Sequence, residues 1–164
     1  MRFAPVAAAL SLLLATTASI TTAQDTAPDP RAAELITQGK AALKGGDVQG
    51  AIDAFEAALV IDPGYTPIFL ELAEAARRDG LQGKAIRYYR EALARDPGNY
   101  AAISGEGVAM VEKGAVEKAK RNLARLQSLC GENCPETRAL AVTIAAGPPA
   151  RLAADTGESS PVSN

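Results

Sequence analysis

The sequence predicts an all-α protein made of stacked two-helix units, and three observations lead to this prediction. Similar residues recur at a fixed step of 34, as in the Asp-Pro-Gly triplets that begin at Asp62 and Asp96. Apolar residues recur at three- and four-residue spacing, which is typical of one face of a helix. Glycines and prolines lie where such helices would end. A fixed period of this size indicates supersecondary units that stack on one another.

The N-terminal residues predict a secretory signal peptide over residues 1–23. Arg2 is the only charge in this segment, an apolar run covers residues 7–15, and small residues follow it. This is the layout of a cleaved export signal, and the apolar run is short for a membrane span of ~20 residues. We therefore expect export to the periplasm or the outside, with cleavage near Ala23. Retention of the segment as a membrane anchor is the alternative.

Two further segments, residues 24–30 and 147–164, are predicted to be a disordered linker and a disordered tail. Both are polar and contain proline, so neither buries enough apolar surface to offset the entropy of ordering. The folded domain is predicted over residues 31–146. The chain has 17 Lys+Arg against 19 Asp+Glu, and such a mildly acidic chain is a poor candidate for nucleic-acid binding. No stretch after the signal peptide is apolar enough to span a membrane.

Each repeat is predicted to contain two helices separated by a glycine. The three repeats cover residues 32–65, 66–99 and 100–131. The glycines at the break, where positive φ is favourable, are Gly46, Gly80 and Gly114.

Proline accounts for the ends of the repeats. The Asp-Pro-Gly triplets end the second helices because proline cannot continue a helix. Thr66 followed by Pro67 is expected to begin the next helix with a side-chain cap. A final helix over residues 135–146 is expected to cap the apolar face that the last repeat leaves open.

These repeats resemble the tetratricopeptide repeat. The signature residues of the first repeat are Leu35, Gly39, Gly46, Ala51, Phe55, Ala58 and Pro63. The second repeat keeps this pattern, and the third lacks the closing proline. The resemblance implies a short right-handed solenoid whose concave face usually binds peptides or proteins.

The resemblance also implies that the first helix of each repeat lines the concave groove. The groove residues assigned in this way are Ile36, Lys40, Leu43, Lys44, Leu70, Glu74, Arg77, Arg78, Val108 and Val111. We expect an apolar floor with four basic residues toward one side. Such a groove would suit a peptide with apolar anchors and an acidic group. The alternative is that the basic residues only complement the dipoles of the helix ends.

The only two cysteines, Cys130 and Cys134, bracket the turn before the final helix. An exported protein meets an oxidising environment, so a disulfide is expected. Closing this short loop would stabilise the fold by ~2 kcal/mol. A reactive pair is the alternative, because Cys134 lies at a helix N-terminus, although the C-x-x-C spacing is missing. Zinc is not expected, since the chain has no histidine and no further cysteine.

No constellation of residues predicts catalysis, a metal site or a cofactor. The chain has no histidine and no glycine-rich phosphate loop after a strand, and its carboxylates are spread over helix surfaces. Glu106, which replaces the apolar Leu72 of the second repeat, is expected to be partly exposed. A basic set on the second helices is read as a solvated outer face, with an anionic envelope surface as its alternative partner.

The sequence therefore predicts a non-catalytic protein–protein interaction adaptor of the bacterial cell envelope, with a peptide or protein as its partner. Two alternatives stay open. One is a thiol-redox accessory protein that uses the cysteine pair. The other is a structural protein that associates with itself as a homo-oligomer.

Overall fold

The computed structural model describes residues 27–150. Within this range the chain forms seven α-helices and no strand, which confirms the predicted all-α class. The predicted signal peptide (1–23), residues 24–26 of the predicted linker (24–30) and the predicted tail from residue 151 onward lie outside the described residues. The helices are α1 (Pro30–Gly45), α2 (Val48–Ile61), α3 (Pro67–Arg78), α4 (Gln82–Arg95), α5 (Tyr100–Glu112), α6 (Val116–Cys130) and α7 (Pro135–Ala146).

Local chemistry explains where several helices begin and end. The side chain of Asp29 accepts a hydrogen bond from the Arg31 backbone N–H at 2.9 Å and so caps α1. Asn99 caps α5 by accepting from the Ala102 N–H at 2.9 Å. The glycine breaks within the repeats have φ values of 76° to 87°, as their positions require. The expected cap at Thr66 is wrong, because its backbone is helical and its side chain makes no capping bond.

The helices pack in chain order, and α7 contacts both α5 and α6. The pairs α1–α2, α3–α4 and α5–α6 form the three repeats, and α7 covers the open side of the last one. Close approach depends on two glycines. A Cβ at Gly39 would lie 2.5 Å from the ring of Phe55, and a Cβ at Gly107 would lie 2.6 Å from Leu140 on α7. The cap helix therefore docks onto α5 through a position without a side chain.

Candidate partner-binding surface

Helices α1, α3 and α5 are the first helices of the three repeats, and their solvent-facing surface is called the first-helix face below. Lys40, Leu70, Glu71, Glu74 and Arg77 lie on it. Neighbouring first helices contact one another directly. Side chains at similar heights on adjacent helices therefore meet across this surface.

Three of the predicted groove residues belong to the core instead. Ile36, Leu43 and Val111 are at most 8% exposed. Ile36 and Leu43 pack against Phe55 of α2, because they lie on the stripe of α1 that faces its partner helix. Val111 packs in a cluster that includes Ile144 of α7. These residues are unable to form the exposed apolar floor that we expected.

The remaining apolar groove residues are half-buried. Val108 packs beside the cluster of Ile103, Leu126 and Leu140, next to the cap helix. Leu70 packs against the core that α3, α4 and α5 form between the second and third repeats, and it keeps part of its surface in solvent. The accessible apolar part of the first-helix face is therefore centred on Leu70.

Ion pairs cross the first-helix face and engage most of its cations. Lys40 Nζ on α1 lies 2.9 Å from Glu71 Oε1 on α3. Arg77 donates to both oxygens of Glu74, at 3.0 and 2.9 Å, and also pairs with Glu112 on α5. These pairs connect each first helix to the next one.

Two further groove cations differ in their pairing. Arg78 Nε lies 2.9 Å from Glu74 Oε1. Lys44 is exposed and forms no ion pair with any residue of the described range. Three of the four predicted basic groove residues, Lys40, Arg77 and Arg78, therefore already have carboxylate partners. A partner's carboxylate would have to compete with those glutamates.

The electrostatics around Arg77 keep its guanidinium charged. Burial alone would lower the pKa of Arg77, but the hydrogen bonds and charges of Glu74 and Glu112 outweigh it and raise that pKa. The neighbouring Tyr89 is almost fully buried, with its ring against Gly105. Burial, followed by the charge of Glu74, raises the pKa of Tyr89 to about 12. This part of the surface is thus a neutralised, hydrogen-bonded array.

Glu106 is buried, so the expectation that it is partly exposed is wrong. Its side chain is 8% exposed, and its Oε1 accepts from Arg90 Nε on α4 at 2.7 Å. Its Oε2 accepts from Asn122 Nδ2 on α6 at 3.0 Å. The carboxylate therefore joins three helices. Both partners lie 16 residues away in the sequence, one before and one after.

The two cysteines come together at the entry to the cap helix. The sulfur atoms of Cys130 and Cys134 lie at bonding distance, and their Cα atoms are 5.8 Å apart, which is within the range of disulfides. Cys130 ends α6 and Cys134 directly precedes α7. The pair is placed where a covalent bond would fix the cap helix against the last repeat.

The described residues contain no group of three or more His, Cys, Asp or Glu side chains arranged to hold a metal ion. Over the same range, no helix combines the length and apolar character that a membrane span needs. Two surface hollows, of about 700 and 240 Å³, lie beside α4, and the larger one reaches Glu112 at the end of α5.

A sequence model described as Tetratricopeptide repeat matches residues 6–66 and 36–100, which together exceed half of the chain. The chain belongs to the tetratricopeptide repeat family. The first match begins inside the predicted signal peptide, so the two interpretations overlap from residue 6 to residue 23. The third repeat lies beyond the matched residues, and the structure supplies it as α5 and α6.

Solved structures of this family have the same fold. The first TPR of Spaghetti (RPAP3) bound to the HSP90 peptide SRMEEVD has a TM-score of 0.64 and 24% identity, over 73% of this chain and 97% of that one. The Sgt2 TPR domain from Aspergillus fumigatus has a TM-score of 0.65 and 24% identity, over 84% and 89%. These likenesses support the tetratricopeptide repeat solenoid predicted from the sequence.

A bacterial structure is similar as well. The Yersinia enterocolitica type III secretion chaperone SycD, in complex with a peptide of the translocator YopD, has a TM-score of 0.61 and 22% identity, over 70% of this chain and 86% of that one. No curated protein has a significant sequence match to this chain. Family membership supports the general role of a protein-interaction module.

Proposed function

We propose that this protein is a non-catalytic adaptor of the bacterial cell envelope that binds a peptide or protein segment on its first-helix face. The main support is family membership together with the arrangement of α1, α3 and α5 side by side. Several similar structures were determined with bound peptides, among them those with an HSP90 peptide and a YopD peptide. In this chain Leu70 lies on α3, the middle one of the three first helices.

The chemistry of the first-helix face defines the kind of segment that would bind. Leu70 offers an apolar contact, and the ion pairs on either side offer both carboxylates and ammonium or guanidinium groups. Such a mixed surface suits an extended segment that has one apolar anchor and polar groups of both signs. A purely acidic peptide would bind this face less favourably, because the glutamates already form ion pairs with the basic side chains.

Export and the disulfide form part of the proposal. The layout of residues 1–23 supports export, with a mature chain that begins at Gln24. Export would place Cys130 and Cys134 in an oxidising compartment, where the pair would stay bonded. Mass measurement of the protein from the envelope fraction tests both points. We expect a mass that lacks residues 1–23 and no reaction of the cysteines with an alkylating agent.

The competing functions make different predictions for the same measurements. A thiol-redox accessory protein would show a cysteine pair that mild reductant opens, whereas a structural disulfide resists it. A self-associating protein would show a mass above that of one chain by light scattering.

Charge and polarity changes on the first-helix face test the central proposal. We expect Leu70→Glu and Arg78→Glu to abolish capture of the partner from an envelope extract. Val60→Glu is the matched control, because Val60 is an 83% exposed apolar residue on α2 and its change leaves the first-helix face intact. Unchanged capture by both groove variants would refute binding at this face.

A further inference from the structure

The positive charge of the protein is concentrated on the second helices of the last two repeats. Helices α4 and α6 each carry four basic residues and one acidic residue. Helix α2, the second helix of the first repeat, carries two acidic residues and no basic one. The net charge of the whole chain is only −2. The surface of α4 and α6 is therefore strongly basic on a protein that is weakly acidic.

A groove runs between these two helices. Both α4 and α6 pack on α5, and they do not pack on each other. The space between them holds a hollow of about 240 Å³, called the outer groove below. Its apolar lining residues are Ile86, Met110 and Ala115, and its charged lining residues are Arg90, Lys113 and Lys118. Within residues 27–150, no acidic side chain lines this hollow.

Two of the three cations at the outer groove have no carboxylate partner among the residues that the structure describes. Arg90 pairs with the buried Glu106 through Nε, while its side chain is 60% exposed. Lys113 and Lys118 form no ion pair with the described part of the chain. The cations of the first-helix face differ, because three of the four predicted there are paired.

The start of α4 increases the positive potential at this site. A Cβ at Gly83 would lie 3.7 Å from Lys113 Nζ, so the ammonium group extends over the first turn of α4. That turn has no side-chain cap, and its N–H groups carry partial positive charge. The larger hollow, of about 700 Å³, shares Gly83 and Lys113 with the outer groove and is also lined by Glu112, whose carboxylate pairs with Arg77. The accessible space therefore continues along the edge of the solenoid.

We propose that the outer groove is a second docking site, which binds an acidic peptide segment that carries an apolar residue. The apolar side chain would contact Ile86 and Met110, and the acidic side chains would pair with Lys113 and Lys118. A peptide fits better than a lipid bilayer, because the apolar lining lies between two helices, where a flat surface does not reach. The site does not share residues with the first-helix face, so either proposal can fail without the other.

A fluorescent peptide of leucine and aspartate residues in alternation is the probe, followed by fluorescence anisotropy at low and at physiological salt. We expect saturable binding that weakens as salt screens the charges. The double variant Lys113→Glu/Lys118→Glu is expected to weaken binding about tenfold or more. The double variant Lys120→Glu/Arg121→Glu is the matched control on α6, with the same charge change outside the hollow. It is expected to change binding less than about threefold.

A change in the probe tests the apolar contact without any risk to folding of the protein. We expect the probe with serine in place of leucine to bind about fivefold more weakly or worse, since its apolar burial is lost. Absence of saturable binding, equal loss in the two double variants, or equal binding of the serine probe would each overturn the proposal. Loss of binding in Leu70→Glu would also overturn it, by placing the probe on the first-helix face.

Vesicles of phosphatidylglycerol distinguish a lipid surface from a peptide. Sedimentation with these vesicles is measured for the protein and for both double variants. If the protein sediments and the two double variants lose sedimentation to the same extent, a diffuse lipid-binding surface replaces the proposed peptide site. We expect instead that the leucine–aspartate probe binds in the presence of the vesicles with unchanged affinity.

Discussion

Replacing Glu106 with alanine removes a buried carboxylate that joins three helices. The carboxylate accepts from Arg90 at 2.7 Å and from Asn122 at 3.0 Å. A hydrogen bond to a charged group contributes about 1.5–3 kcal/mol when it is buried. The bond from Arg90 contributes less, because that side chain is 60% exposed and water replaces its partner. Asn122 keeps its second bond, to the carbonyl of Ile103 at 3.0 Å. We therefore expect a loss of about 2 kcal/mol in the free energy of unfolding.

Urea unfolding of the purified protein, followed by circular dichroism, measures this loss. Glu106→Gln keeps the shape of the side chain and one acceptor oxygen, and we expect it to lower the free energy of unfolding by about 1 kcal/mol. Glu117→Ala is the control, because it breaks an exposed pair with Lys120 (79% and 53% exposed) and should cost less than about 0.5 kcal/mol. If Glu106→Ala cost no more than this control, the carboxylate would not stabilise the packing of α4, α5 and α6.

Three further changes test other parts of the structure. Gly107→Val would drive a side chain into Leu140, whose Cδ2 lies 2.6 Å from the position of a Cβ. We expect the free energy of unfolding to fall by about 2 kcal/mol and α7 to be cleaved faster by a protease. An unchanged free energy of unfolding would contradict the close contact. Replacing Cys130 and Cys134 with serine should lower the free energy of unfolding by about 2 kcal/mol. The same free energy of unfolding in the variant and in the oxidised protein would argue against a bonded pair. The pKa of Tyr89 is raised to about 12, above its unfolded value of about 10, so the stability it contributes below pH 10 is lost as the pH rises through 12. In Tyr89→Phe, the free energy of unfolding should therefore depend less on pH between about 10 and 12. The same pH dependence in the variant and in the unchanged protein would contradict the raised pKa.

The sequence was sufficient to predict the helical units, because their boundaries depend on local chemistry. Gly46, Gly80 and Gly114 mark turns that need positive φ, and all three adopt it. The cap helix follows from Pro135 and from the apolar face that the last repeat would otherwise expose. The missing cap at Thr66 shows the limit of such rules, since a side chain that suits a cap need not form one.

The accessibility of the groove residues could not be predicted in the same way. Whether Ile36, Leu43 or Val111 faces solvent depends on how far each helix is turned toward its partner and on where α7 lies. The ion pairs are more regular. Lys40–Glu71 and Arg77–Glu112 join residues 31 and 35 apart, close to the repeat step of 34, because adjacent first helices lie side by side. Opposite charges near one repeat step are therefore a sequence signal for such pairs.

Photo-crosslinking from Leu70 in living cells, with mass spectrometry of the products, tests most directly whether the first-helix face holds a partner. A photoreactive residue at Val60 on α2 is the control for random collisions, since that side chain is 83% exposed. Binding at the first-helix face predicts one discrete foreign protein linked through position 70 and not through position 60. Products that contain only this chain, the same products from both positions, or no product at all would contradict it.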